Sequence, residues 1–256
     1  MKLIEFVAIE GVSMNNNQKV LIGQGKVSKV YLIEGAAYKY FPTAYPLSWI
    51  KYEVTIQNEI VSKTKLPILS YEYVNNSREI KMPYIKGVDL TYRIRVEKYK
   101  TGLEDLIGLQ KQVYEYQNLD LLQAHDVFFE TLNKSNLDES IKKIGIDALN
   151  EVDIKNNLCH FDLHFSNIMY DHNNYLIIDW ANAKLGNPIL DIARTYVILR
   201  QYAFRLSDRY LKMISKELDI KLITFAQAIK AMAVLRLIEM SDDEPKQRIL
   251  DLIYNT

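Results

Sequence analysis

One hairpin constrains this chain more than any other stretch. Residues 159–196 read CHFDLHFSNIMYDHNNYLIIDWANAKLGNPILDIARTY. Ile168-Met169-Tyr170 and Leu176-Ile177-Ile178 are apolar runs, and Asp171-His172-Asn173-Asn174 between them has the chemistry of a tight turn. Polar residues flank the pair: His160, Asp162 and Asn167 before the first run, Asp179 after the second. A hairpin brings its outer ends together, so Asp162, Asn167 and Asp179 are expected to share one small volume. One carboxylate to orient a hydroxyl, with an amide and a second carboxylate to hold magnesium against phosphates, is a set suited to phosphoryl transfer. Taken singly, Asp and Asn most often just cap turns. Their joint order is what carries the reading.

His160-x-Asp162-x-x-x-x-Asn167 followed by Ile178-Asp179 resembles the catalytic loop and metal-binding aspartate of the kinase fold. Within that fold, Asp162-Leu163-His164, Ile178-Asp179-Trp180 and Gly186-Asn187-Pro188-x-x-Asp191-Ile192-Ala193 resemble the aminoglycoside phosphotransferase and choline kinase group. Protein kinases usually carry a lysine where His164 stands, and a long activation segment that is missing after Asp179. The resemblance implies that Asp162 is catalytic, that Asn167 and Asp179 ligate magnesium, and that Met169 and Ile178 floor an adenine pocket. It also implies that Asp191 ties down the catalytic loop, while His160 braces it through hydrogen bonds. His164 is placed behind the metal ligands, since histidine is a poor magnesium ligand. Phe161 and Phe165 stand where the family's His-Gly-Asp-x-His-Pro-x-Asn has glycine and proline, which bears on loop shape and acceptor size.

Upstream, residues 3–39 are strand-like. Gly23-x-Gly25-x-x-Ser28-x-Val30 lies between the apolar runs Val20-Leu21-Ile22 and Tyr31-Leu32-Ile33. A glycine-bearing turn is weak evidence alone, but this spacing resembles the nucleotide-covering loop of kinases, with Ser28 at the third glycine position. In the next strand, 36–41, alternation places Ala37 and Lys39 on one face, opposite Tyr38 and Tyr40. A strand lysine is most often an exposed edge charge. Here Ala37-x-Lys39 resembles the strand whose lysine contacts the α- and β-phosphates, with Ile22, Val30 and Ala37 forming the roof over adenine.

Residues 47–63 read as a helix, with Pro46 at its start and Pro67 beyond its end. The resemblance makes Glu53 the ion-pair partner of Lys39, with Glu59 as the fallback. Strands are expected over 68–73 and 79–85. The second runs into Met82-Pro83-Tyr84-Ile85-Lys86-Gly87, which resembles the fold's hinge. There Met82 guards the adenine pocket, and the Pro83 carbonyl and Ile85 N–H are the expected base contacts. From residue 88 the pattern is helical to 157, with Leu103, Leu106, Val113 and Tyr116 as a core stripe and a helix over 135–152 capped by Ser135 or Asn136. Residues 201–256 also read as helical, with Leu222, Phe225, Ile229 and Met232 on one face. Asp242-Asp243-Glu244 reads as capping at a helix start.

Size and composition limit the alternatives. The chain has 256 residues, is 48% apolar, and carries 32 basic and 32 acidic residues. That supports a real core and gives no electrostatic support for nucleic acid or membrane partners. The N-terminus lacks a signal-peptide core, and Lys230 and Arg236 interrupt the most apolar stretch, 222–240. A lone cysteine, Cys159, fits a reducing cytoplasm and is expected to be buried and inert.

Together these imply an α+β, two-lobed protein-kinase-like fold. A small antiparallel-sheet N-lobe with one main helix spans 1–82, a hinge 83–87, and a larger, mostly helical C-lobe 88–256. The implied activity is ATP- and magnesium-dependent transfer of the γ-phosphate to a hydroxyl of a small molecule. The acceptor could be an aminoglycoside-like antibiotic, which would link the protein to antibiotic resistance, or an amino-alcohol or sugar metabolite. GTP is left open as donor, and a monomer or weak homodimer is expected. Two other readings stand beside it: a non-catalytic nucleotide-binding pseudokinase module, motivated by Ser28 and the altered loop, and a protein serine/threonine kinase.

Overall fold

The computed structural model describes residues 19–241 and 244–255. The expectations made for residues 1–18, and for Asp242 and Asp243, lie outside them. In chain order the first elements are β1 (Val20–Gln24), β2 (Lys29–Ile33), β3 (Ala36–Tyr40), α1 (Leu47–Lys63), β4 (Glu72–Tyr73) and β5 (Glu79–Pro83). Then come β6 (Val88–Asp89), α2 (Leu90–Arg95), α3 (Gly102–Tyr114), α4 (Ala124–Lys134), α5 (Glu139–Asn150) and β7 (Asn157–Cys159). The last are β8 (Ile168–Tyr170), β9 (Tyr175–Ile177), β10 (Lys184–Gly186), α6 (Pro188–Tyr202), α7 (Phe204–Glu217), α8 (Ala226–Glu239) and α9 (Gln247–Tyr254). Two compact units are present. The first comprises the described residues through Leu106 together with Phe165–Ala181, and the second Ile107–His164 with Asn182 onward.

In the first unit, five strands form a sheet in the order β1-β2-β3-β5-β4, with every pairing antiparallel. The alternation of β3 is as the sequence predicts: Ala37 and Lys39 are buried, while Tyr38 and Tyr40 are only partly so. Ile22, Val30, Leu32 and Ala37 make one apolar cluster. Phe41, Tyr71 and Ile80 pack with Ile50 of α1 in another. Helix α1 has the expected bounds, and its buried positions, Ile50, Glu53, Ile56, Gln57 and Ile60, form one stripe. Each buried isoleucine contributes about 1.5–3 kcal/mol. The stripe also brings Glu53 inward, a carboxylate at a core position.

The strand expected over 68–73 shrinks to Glu72–Tyr73. Its backbone groups are taken by other partners. Gln57 Nε2 donates to the Leu69 carbonyl (2.6 Å), and Asn58 holds Tyr71 at both its N–H (3.0 Å) and its carbonyl (2.8 Å). Such side-chain bonds satisfy the backbone without a neighbouring strand. The hairpin β8–β9 forms as expected, closed by the Asp171 N–H donating to the Asn174 carbonyl (3.1 Å) and extended by β6 on the far side of β8.

The second unit is mostly helical. Helix α6 is buried almost all round from Leu190 to Leu199, as a central helix must be, and packs against α7, α8 and α9. Its start is well specified: the Asn187 side chain accepts from the Ile189 N–H (3.1 Å), and Pro188 fills the first turn. Strands β7 and β10 pair antiparallel beside it. Three expectations need correction here. Residues 88–157 are not uniformly helical, since β6 precedes α2. Helix α5 starts at Glu139, because the Ser135 hydroxyl donates to the Leu132 carbonyl (2.8 Å) and so closes α4. Residues 201–256 break at Ala203, whose φ of −138° is not helical, and Leu222 is 46% exposed in a short 3-10 turn before α8. Phe225, Ile229 and Met232 do face the core.

Candidate active site

Strand β3 and helix α1 build the charged centre of the first unit. Lys39 Nζ lies 2.6 Å from Glu53 Oε1 and 3.1 Å from Asp179 Oδ1. Lys39 and Glu53 are both buried. Burial alone would lower the Lys39 pKa, but the charges of Asp179 and Glu53 outweigh it and hold the ammonium well above its ordinary value. Glu59, the fallback partner, is not the residue that meets Lys39. Asp179 adopts a left-handed backbone, φ 64°, which is costly for a non-glycine residue and re-aims its side chain after β9. Burial pushes the pKa of the neighbouring Tyr71 upward, with the Asp179 backbone N–H bonding its hydroxyl.

Above this centre lies a cleft with about 570 Å³ of empty space, open to solvent. Its walls include Ile22, Val30, Ala37, Lys39, Met82, Pro83, Ile85, Met169, Ile178 and Asp179. Leu69, Tyr71 and Tyr84 line it as well. The sequence reading missed these three; the one available signal was their place in or next to the strand-like runs 68–73 and 79–85. Gly23 lies in β1, and Gly25 and Ser28 lie on the β1–β2 turn; none of the three is among the lining residues. That turn is tied by the Gly25 N–H donating to the Ser28 carbonyl (2.9 Å), and β1 is irregular between Leu21 and Gly23.

The hairpin sets Asn167 and Asp179 close in the backbone network. The Ile178 N–H donates to the Asn167 carbonyl (3.0 Å), and Asn167 is buried just ahead of β8. Among the described residues no three His, Cys, Asp or Glu side chains cluster as a metal site. A carboxylate and an amide oxygen nevertheless fit magnesium, which takes hard oxygen donors and completes its shell with phosphate and water. These two residues would hold it.

In the second unit, Asp162 sits on a loop fixed from several sides. Phe161 has φ 56°, and its N–H donates to Asp191 Oδ1 (2.5 Å). Tyr114 donates its hydroxyl to the other oxygen of Asp191 (2.9 Å). Burial raises the Asp191 pKa to about 6, against the pull of those hydrogen bonds. The Asp162 N–H donates to His160 Nδ1 (3.2 Å), and His164 Nε2 is 3.8 Å from Asp162 Oδ1. A buried chain runs from the Tyr210 hydroxyl to Gln110 (2.8 Å), from Gln110 to Thr195 (3.1 Å), and from Thr195 to the Leu163 carbonyl (2.9 Å). The loop is thus preorganised by satisfied buried polar groups.

Residues 104–222 match the model of the phosphotransferase enzyme family, APH. The resemblance drawn from the loop and hairpin motifs is borne out. The matched segment includes Asp162, Asn167, Asp179 and Asp191, and the expected enzyme class, phosphotransferase, is that of the family. Solved structures are similar along nearly the whole chain. A thermostable mutant of aminoglycoside phosphotransferase APH(4)-Ia has a TM-score of 0.64 at 13% identity, covering 93% of this chain and 94% of its own. Choline kinase LicA from Streptococcus pneumoniae has a TM-score of 0.61 at 13% identity, with coverage of 93% and 94%. The ternary complex of APH(2'')-IIa with streptomycin and ATP has a TM-score of 0.61 at 17% identity, with coverage of 94% and 92%. At these identities the likeness establishes the fold: an antiparallel-sheet N-terminal region followed by a helical C-terminal part, as the resemblance implies. No protein with a curated description matches the chain.

Proposed function

We propose that this chain is an ATP- and magnesium-dependent small-molecule phosphotransferase that moves the γ-phosphate to a hydroxyl. The observation that carries the reading is Lys39, buried and bridged to Glu53 at 2.6 Å and Asp179 at 3.1 Å at the base of an apolar cleft. A lysine so fixed stays ionised and points one charge at phosphates. Ile22, Val30 and Ala37 would cover the adenine, Met169 and Ile178 would support it, and the Pro83 carbonyl and Ile85 N–H would read its edge. Gly23, Gly25 and Ser28 would cover the phosphates. Asn167 and Asp179 would hold magnesium, which when bound neutralises charge on the phosphates. Asp162 accepts the acceptor's hydroxyl proton as the new oxygen–phosphorus bond forms and the bond to the bridging oxygen of ADP breaks. ATP in the solved complex of APH(2'')-IIa supports ATP as donor, and a cytoplasmic location goes with that supply.

The test is Asp162→Asn. Acceptor phosphorylation should fall by at least about 10²-fold, the usual contribution of a positioned base, while magnesium-ATP still raises the melting temperature as in the wild type. Undiminished turnover in that variant would refute the assignment.

A further inference from the structure

A second cavity, with about 280 Å³ of empty space open to solvent, is lined wholly by residues of the second unit. Phe161, the residue before Asp162, lines it, together with Phe128, Met232, Lys184, Arg194 and Glu239. It therefore adjoins the loop whose carboxylate receives the acceptor's proton. What sets it apart is its charge.

Lys184 donates to the Asn182 carbonyl (2.8 Å) but has no carboxylate partner among the described residues. Burial, with Arg194 nearby, pulls its pKa down to about 8, against the opposing pull of Glu239. Arg194 is buried and pairs with Glu239, whose same oxygen also serves Arg236 (3.4 Å). Arg236 has its own carboxylate, Glu244 at 2.6 Å, so Glu239 serves chiefly Arg194. The other carboxylates acting on Arg194 are Asp162 and Asp191, and Asp191 is already occupied by Tyr114 and the Phe161 N–H. An acceptor entering this cavity meets aromatic faces, two cations, Lys184 and Arg194, and one lining carboxylate, Glu239. A polycation or a quaternary amine would be disfavoured beside the two cations.

Resting on the phosphotransferase reading above, we propose that the acceptor is a small hydroxyl compound bearing a carboxylate or phosphate, held by Lys184 and Arg194. The anion would give Lys184 a direct ion pair in addition to its bond to the Asn182 carbonyl.

The experiment uses the full chain with magnesium-ATP and matched acceptors on one scaffold: glucose, glucosamine, glucuronate and glucose 6-phosphate, then glycerol, serinol and glycerate. Turnover gives kcat/KM, and calorimetry gives binding for members that do not react. An anionic member should exceed its neutral parent by at least 10-fold in either readout. Lys184→Gln should cut that ratio at least 10-fold, mainly through KM, and Lys184→Arg should retain it. Glu239→Gln, which frees Arg194, should raise it. A cationic member preferred over its neutral parent overturns the proposal, and so does an anionic member with no advantage in either readout. Neither result touches the nucleotide reading, whose own failure would show as loss of the magnesium-ATP shift.

Discussion

Replacing Lys39 with methionine tests the centre of the first unit more sharply than any other change. Methionine keeps much of the side-chain volume but removes the ammonium paired with Glu53, a carboxylate that is itself buried. Breaking a buried ion pair from one side costs about 3–5 kcal/mol, because the remaining charge is left without compensation. For a chain of this size that corresponds to a fall of about 6–20 °C in melting temperature. The reverse change, Glu53→Gln, should cost less, because Lys39 keeps Asp179 at 3.1 Å. The two variants also differ in pH dependence. Burial raises the Glu53 pKa and Lys39 opposes that rise, so without Lys39 the folded-state pKa lies above the unfolded one. Protonation then favours the folded form, and the Lys39→Met deficit should be smallest in acid and grow as pH rises through the raised pKa. Thermal and urea melts from pH 5 to 8 read all three quantities. A Lys39→Met protein as stable as wild type, or less affected than Glu53→Gln, or with a deficit that shrinks as pH rises, would refute the reasoning.

Three further outcomes follow from the packing. Asp191→Asn loses one acceptor of the catalytic loop and should lower transfer about 10²-fold by misplacing Asp162. Because burial raises the Asp191 pKa to about 6 from an ordinary 3.8, ionising it opposes folding, so wild type should gain about 3 kcal/mol on going from pH 7 to below pH 4 relative to this variant; equal pH slopes in paired melts would count against it. At Gly87 an added Cβ would stand 2.0 Å from the Tyr170 carbonyl oxygen and 2.9 Å from the Asp171 Cα, both backbone atoms that cannot swing aside. Gly87→Ala should therefore destabilise by about 3 kcal/mol in urea melts, and a cost within 0.5 kcal/mol, about that of an ordinary surface change, would contradict the close approach. Cys159 is buried, and burial pushes its thiol well above the ordinary range. It should resist thiol reagents in the native protein and react once unfolded, which a simple absorbance assay follows.

How much of this was legible beforehand depends on the range over which each signal acts. Helix α1 and strand β3 were read to the residue or nearly so, because a 3.6-residue stripe and a two-residue alternation are local patterns. Lys39 and Glu53 are also local facts, each an inward position on its element, and only their order beside Asp179 suggested that they meet. The segment around Tyr71 was misjudged because its backbone is satisfied by Gln57 and Asn58 of α1, a contact that no window over 68–73 contains. The start of α5 was misplaced for a similar reason: Ser135 had two helices to serve, and it closes the earlier one.

The charge of the acceptor-side cavity shows the same limit at its greatest. In the sequence, Lys184, Arg194 and Glu239 are separate charges in a chain whose total is zero, and Asp242-Asp243-Glu244 is the conspicuous acidic run. In the fold, Glu244 turns inward to Arg236 (2.6 Å) and Gln201 (3.1 Å). Lys184 and Arg194 instead share a cavity wall on which Glu239 is the lining carboxylate. A net charge of zero is thus compatible with a positive recess, because specificity depends on which charges are left over after internal pairing. The residues we propose for the transfer are legible by their order along the chain, whereas those we propose for acceptor selection depend on what each charge meets in three dimensions.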